Sequence, residues 1–208
     1  GGDYFDIIRL SSKTVGIAIG DICGHGVPAA LLSSTVQAAI RSQLEYTLSP
    51  AQVMQHLNRF LMESTAESVF VTLFLGILEC KSGVLTYINA GHPPPVHISR
   101  ERTVKELRAG AAALGIVEQD FRCEQEARVL AGDMLLLYTD GVIESQNKQR
   151  EIYGRKRLLD VVRGGCLNRK GRKPKLSELS GRIKQDVLAF MAGAKQTDDL
   201  TLVELARR

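Results

Sequence analysis

Five aspartates, Asp3, Asp21, Asp140, Asp198 and Asp199, occupy one kind of setting, the beginning or end of an apolar, strand-like run. Gly2 precedes Asp3, Gly20 precedes Asp21 and Gly141 follows Asp140. Asp21 closes the branched run Val15 to Ile19 and leads into Ile22-Cys23-Gly24-His25-Gly26. A carboxylate at a strand end is held rigidly, and neighbouring glycines let backbone carbonyls and amides face a ligand. Mg²⁺ and Mn²⁺ take oxygen ligands and retain water, so carboxylates from four separate places, with a backbone carbonyl, suit a pair of such ions. Water bridging two divalent ions becomes hydroxide near neutral pH, and the ions neutralise a phosphate that would otherwise repel it. No nucleophilic Ser or Cys is then needed. A single Asp-Gly is more often a turn than a ligand, so the expectation rests on the set. His25 and His92 also lie in glycine-flanked loops, where hydrogen bonding that holds the loop is the simpler role than metal ligation or acid catalysis.

The elements that must position these residues follow from hydrophobic spacing. Tyr4 to Leu10 and Thr14 to Gly20 are neighbouring strands joined by a Ser-Ser-Lys turn, so one begins near Asp3 and the other ends near Asp21. A helix opens at Pro28 and runs to about Gln43; a second starts at Ser49-Pro50-Ala51-Gln52, with serine as cap and proline at the first helical position. Val69 to Leu78 and Val84 to Asn89 form a hairpin, and Val96 to Ile98 and Thr103 to Leu107 a shorter one. Phe121 to Val129 alternates as a strand, and Met134 to Tyr138 is a buried strand ending at Thr139-Asp140-Gly141. Helices over Gly154 to Val162 and Leu176 to Met191 precede a last strand, Leu200 to Leu205, entered through Thr197-Asp198-Asp199. Strands mostly in hairpins, with helices grouped early and late, predict a layered α+β fold rather than a doubly wound sheet.

The 208 residues are enough for one sizeable core and few for two, so a single domain over 1–208 is expected. Hydrophobic residues at 44% and charged residues at 24% are ordinary for a folded water-soluble chain. Much of the basic excess behind the net charge of +4 lies between Arg163 and Lys175. No aromatic interleaves that stretch, so a solvated loop is expected and nucleic acid is not. Cys23, Cys80, Cys123 and Cys166 form no CxxC pair, which excludes a zinc knuckle and fits a reducing, cytoplasmic compartment. No apolar run is long enough to cross a bilayer, so no membrane contact by this domain is expected. The opening Gly1 is not an initiator Met, and an upstream regulatory region, a sensor or a membrane-tethering domain, is part of the expectation.

The motifs GGDYFD (1–6), GDICGHGVPAAL (20–31), NAGHPP (89–94), LLYTDGVIE (136–144), YGRKRL (153–158) and QTDDLTL (196–202), in this order, resemble the bacterial SpoIIE/RsbU-like serine phosphatases of the metal-dependent PPM, or PP2C-like, group. The resemblance implies an αββα sandwich of two antiparallel sheets flanked by helices, with a Mn²⁺ or Mg²⁺ pair. It implies that Asp21 bridges both metals with the Ile22 carbonyl beside it, that Asp140 and Asp198 hold one metal and Asp3 serves the other, and that Asp199 stands just outside the ligand set. Asp21 and Asp140 are then the catalytic carboxylates. The implied reaction is hydrolysis of phosphoserine or phosphothreonine on a regulatory protein, such as an anti-anti-sigma factor with a STAS domain, in the control of sigma factors. A homodimer is left open.

Other classes fit less well. Gly1 to Phe5 superficially matches the GGDEF hairpin of diguanylate cyclases, which leaves Asp140 and Asp198 unexplained. Nucleotide binding through Gly20 to Gly26 lacks the P-loop Lys-Ser/Thr. A catalytically idle, phosphoprotein-binding scaffold of the same fold is the remaining alternative.

Overall fold

The computed structural model describes residues 2–24, 26–66, 68–108, 110–166 and 178–207. His25 and most of the basic stretch lie outside the described residues. The order is β1 (Asp3–Arg9), β2 (Thr14–Ile22), α1 (Val27–Leu44), α2 (Pro50–Ser64), β3 (Val71–Glu79), β4 (Val84–Ala90), β5 (Val96–Ile98), β6 (Val104–Glu106), β7 (Gln125–Arg128), β8 (Met134–Tyr138), α3 (Asp140–Glu144), α4 (Gly154–Cys166), α5 (Glu178–Met191) and β9 (Leu202–Ala206). They fall into two units, each with an antiparallel sheet and helices: Gly1–Pro94 with Leu107–Val129, and Pro95–Glu106 with Leu130–Arg208. The expected α+β class with two antiparallel sheets is what the chain forms.

In the first unit the sheet order is β1-β2-β3-β4-β7. β1 alternates, burying Tyr4, Asp6 and Ile8 and exposing Phe5, Ile7 and Arg9, as an edge strand should. The inner strands β2 and β3 are buried almost throughout. Ile40 and Leu44 of α1, and Leu57 and Leu61 of α2, share a core with Leu73 and Leu75. The buried Asp6 carboxylate accepts two hydrogen bonds from Arg41, at 2.7 and 2.8 Å, which ties α1 to β1. Helix α2 begins as its sequence predicts, with Ser49 Oγ accepting from the Gln52 N–H at 3.3 Å. Glu124 reinforces that start by accepting from Ser49 Oγ at 2.6 Å and from the Ala51 N–H at 2.9 Å.

In the second unit the order is β6-β5-β8-β9. β8 is buried along its whole length, and Leu136 and Tyr138 pack with Leu158 of α4 and Ile183 and Val187 of α5. Helices α4 and α5 are also joined by Asp186, which accepts from the Tyr153 hydroxyl at 2.8 Å and from Arg157. The turn entering β8 is set by the buried Asp133 carboxylate, which accepts from the N–H groups of Leu130 (2.8 Å) and Arg100 (2.7 Å) and bonds His97 Nε2 at 2.9 Å.

Several boundaries differ from the sequence expectation, among them the end of α4, at Cys166 instead of Val162. The strand expected over Phe121 to Val129 is confined to Gln125–Arg128, because Phe121 enters the core and Glu124 caps α2. β2 runs on through Asp21 to Ile22, and Asp140 opens the short helix α3 instead of sitting in a turn.

Burial alone pushes the Asp133 carboxyl up, but the hydrogen bonds from Leu130, Arg100 and His97 outweigh it and hold the group below the ordinary carboxylate range. A depressed folded-state pKa contributes stability that is present above the unfolded value and is lost as pH falls through the folded one. Urea unfolding measured from pH 6 down through the carboxylate range should therefore show a loss of stability in acid that is shallower in Asp133→Asn.

Candidate functional site

Each unit carries one group of the aspartates singled out by sequence. In the first, antiparallel pairing sets Asp3 directly opposite Asp21, and Asp21 opposite Thr72 of β3. Cross-strand partners share a face of the sheet, and two like charges so placed repel unless something positive lies between them. The Ile22 side chain is in the core, leaving its carbonyl as the group able to serve a ligand. Gly2 runs close over this place: a Cβ there would collide with the Ile22 carbonyl oxygen and come within 2.8 Å of Asp21 Oδ1. Gly24 and Gly26 turn the chain into α1 with φ of 106° and 80°, values that favour glycine. His92 holds its loop, as the simpler reading expects. Its N–H donates to Asn89 Oδ1 at 2.8 Å, its carbonyl accepts from Asn89 Nδ2 at 2.9 Å, and Nδ1 lies 2.9 Å from Thr72 Oγ1.

In the second unit, β8 delivers Asp140 to the first position of α3. The Thr139 N–H donates to the Thr201 carbonyl at 3.2 Å and the Thr201 N–H to Thr139 Oγ1 at 3.3 Å, which fastens the segment before Asp140 to the segment after Asp199. Gly141 permits the approach: a Cβ there would run into the Asp199 carbonyl and lie 3.4 Å from Asp198 Cβ. Asp198 Oδ1 accepts from the Asp199 N–H at 2.8 Å, and the Asp198 carbonyl accepts from Gln196 Nε2 at 2.7 Å. Asp140 Oδ1 is buried without a hydrogen-bond partner among the described residues. Burial, and then the Asp198 carboxylate, push the Asp140 carboxyl above its ordinary value. Glu144 is pushed up by burial and by both aspartates; it was not among the residues expected from sequence. Its only signal there is a position four after Asp140, one helical turn away.

These features fit a hard divalent cation. An unpartnered buried carboxylate oxygen beside a second carboxylate, and a carbonyl kept clear by a glycine, are oxygen donors of the type Mg²⁺ and Mn²⁺ take. Among the described residues no group of three or more His, Cys, Asp or Glu is gathered to hold a metal. Mg²⁺ uses one or two carboxylates and keeps several waters, so it does not require such a cage.

The fold is that of PP2C-like phosphatase domains. It superposes on the SiaA-PP2C domain of Pseudomonas aeruginosa with a TM-score of 0.84 at 20% identity, covering 99% of this chain and 80% of that one. The chain belongs to the Stage II sporulation protein E (SpoIIE) family, whose family model matches residues 11–208. It is similar to the phosphoserine phosphatase RsbU of Bacillus subtilis, 34% identical over 149 residues that cover 71% of this chain and 44% of RsbU. The RsbU and RsbW domains of Rv1364c from Mycobacterium tuberculosis match with a TM-score of 0.79 at 27% identity, over 100% of this chain and 57% of that one. The chain spans less than half the length of the curated relatives it matches. Among the described residues no helix is long and apolar enough to cross a membrane.

Gly141→Ala should force the 198–199 segment away from α3. Overpacking of this kind costs about 1–3 kcal/mol, read as a lower urea midpoint with an unchanged slope, whereas Gly164→Ala, with open space at its Cβ, should leave the midpoint unchanged or raised.

Proposed function

We propose that residues 1–208 act as one metal-dependent protein serine/threonine phosphatase domain of the PPM type. The observation that carries this reading is Asp140, whose buried carboxylate oxygen lacks a partner beside Asp198 in a chain of the SpoIIE family. Asp21, the Ile22 carbonyl, Asp140, Asp198 and Asp3 hold two Mn²⁺ or Mg²⁺ ions, with Asp21 and Asp140 the carboxylates on which activity depends and Asp199 outside the set. The ions supply Lewis acidity that neutralises the phosphate and activates water. In the net reaction water adds to phosphorus, the serine Oγ–P bond breaks, and the serine hydroxyl and inorganic phosphate are released. Gly2 and Gly141 keep side chains out of the ligand positions, and the paired bonds between Thr139 and Thr201 keep Asp140 and Asp198 on facing segments. The similarity to the phosphoserine phosphatase RsbU supports a phosphoserine substrate, and the substrate proposed is a phosphorylated regulatory protein of the STAS anti-anti-sigma type, met in the cytoplasm.

Hydrolysis of p-nitrophenyl phosphate should require Mn²⁺ or Mg²⁺ and stop on chelation. Loss of a residue that only supports a metal ligand costs about 10–100-fold, so Asp140→Asn should reduce turnover by at least that much. Wild-type turnover in Asp140→Asn would remove that residue from the mechanism.

Metal binding is tested separately by thermal unfolding. Mn²⁺ at a hundredfold excess over its Kd should stabilise the folded chain by about 2.7 kcal/mol per site, and Asp140→Asn should shrink the rise in midpoint. An unchanged midpoint at saturating Mn²⁺ would refute the site, while a normal rise without hydrolysis would identify the idle scaffold.

A further inference from the structure

Within the second unit, α3, α5 and the segment from Gln196 to β9 line a half-open cavity of about 490 Å³, in the size range of small-ligand sites. Its walls are apolar where Val142, Val187, Leu200 and Leu202 meet. Leu188, 47% exposed, stands at its edge. Among the described residues Lys184 is the one charged side chain that lines it, and Gln196 adds an amide.

Two features mark this cavity as a place for a ligand rather than a packing fault. Gly181 lines it from inside α5, where glycine costs about 1 kcal/mol relative to alanine, and a Cβ on Gly181 would meet nothing within 4 Å. The space beside Gly181 is therefore large enough that a leucine there would enter the cavity, whereas an alanine would not fill it. The cavity is also built from the segments that carry Asp140 and Asp198. Val142 follows Asp140 by two residues on α3, Leu200 follows Asp199, and Gln196 Nε2 bonds the Asp198 carbonyl at 2.7 Å.

We infer that this cavity is a specificity subsite for the phosphoprotein, taking an aliphatic side chain near the phosphoserine in an extended segment whose Asp or Glu meets Lys184. The aliphatic walls select the first group, and the single positive charge at an otherwise neutral site selects the second. The inference rests on the phosphatase reading only for the phosphoserine itself.

The test uses the 208-residue chain and a fluorescein-labelled pool of phosphoserine peptides carrying Leu and Glu at flanking positions, with a pool carrying Ala and Lys there as reference. Anisotropy reads binding without requiring turnover, and p-nitrophenyl phosphate reads catalysis without using the cavity. The wild-type chain should prefer the Leu/Glu pool by about tenfold, the lower end of what one apolar pocket discriminates. Gly181→Leu and Lys184→Glu should each abolish the preference while p-nitrophenyl phosphate turnover stays within about twofold of the wild type. Gly181→Ala, too small to fill the space, should keep it and report whether α5 remains folded. No preference in the wild type, or a preference that survives both Gly181→Leu and Lys184→Glu, overturns the subsite. Loss of preference in those variants, in a chain that never hydrolyses p-nitrophenyl phosphate, would uphold the subsite and bring down the catalytic reading instead.

Discussion

The structure of the second unit turns on the cost of burying one oxygen of the Asp140 carboxylate without a partner among the described residues. β8 is bounded by two aspartates in opposite circumstances. Asp133, before the strand, has its burial more than offset by two backbone N–H groups and His97, and its carboxyl is held low. Asp140, after the strand, has one oxygen without a partner among the described residues and a second carboxylate nearby, and its carboxyl is pushed high. The same residue type on the same strand therefore fixes a turn at one end and accumulates unfavourable negative charge at the other. Unsatisfied buried polar groups are uncommon in folded proteins. Here the neighbouring chain is held in place by the two hydrogen bonds between Thr139 and Thr201, so the unpaired oxygen has little freedom to turn toward a partner of its own.

The first unit repeats the theme with different means. There the repulsion is written into the ladder itself, since the register that pairs Tyr4 with Gly20 and Phe5 with Ile19 also sets Asp3 opposite Asp21. Slipping the register by one residue would relieve the pair but would turn Tyr4 and Ile8 out of the core. Burial of those side chains thus enforces the confrontation of the carboxylates. Gly2 and Gly141 serve the two units alike: each lies where a Cβ would strike a carbonyl next to a carboxylate.

Much of this was legible in the sequence, and the reasons for the exceptions are specific. Branched and aromatic runs located β1 to β4 and β8, and the short turn between β1 and β2 brought Asp3 near Asp21. The α2 start was readable because Ser49 and Pro50 act locally. Glu124 was not, because its partners are more than seventy residues away, and by capping α2 it shortens the strand that alternation predicts. Asp140-Gly141 reads as a turn by statistics, yet Gly141 is there for the approach of Asp199, and Asp140 starts a helix. Glu144 joins Asp140 and Asp198 only once α3 exists, so no spacing rule for strand-end carboxylates would have included it.

The placement of the cavity follows from the same economy of segments. Helix α3 spans only Asp140–Glu144, and the approach to β9 passes from Asp198 to Leu202. Asp140 and Asp198 stand close enough to repel, while Val142 and Leu200, two residues further on, and Leu202, four residues after Asp198, line the cavity with aliphatic surface. The cavity walls and the two carboxylates therefore share the same short stretches of backbone. A side chain bound against those walls would be placed relative to Asp140 and Asp198 by the few bonds that separate them along the chain and by the Gln196 bond to the Asp198 carbonyl. Positioning of this kind is where substrate-binding interactions most directly become rate.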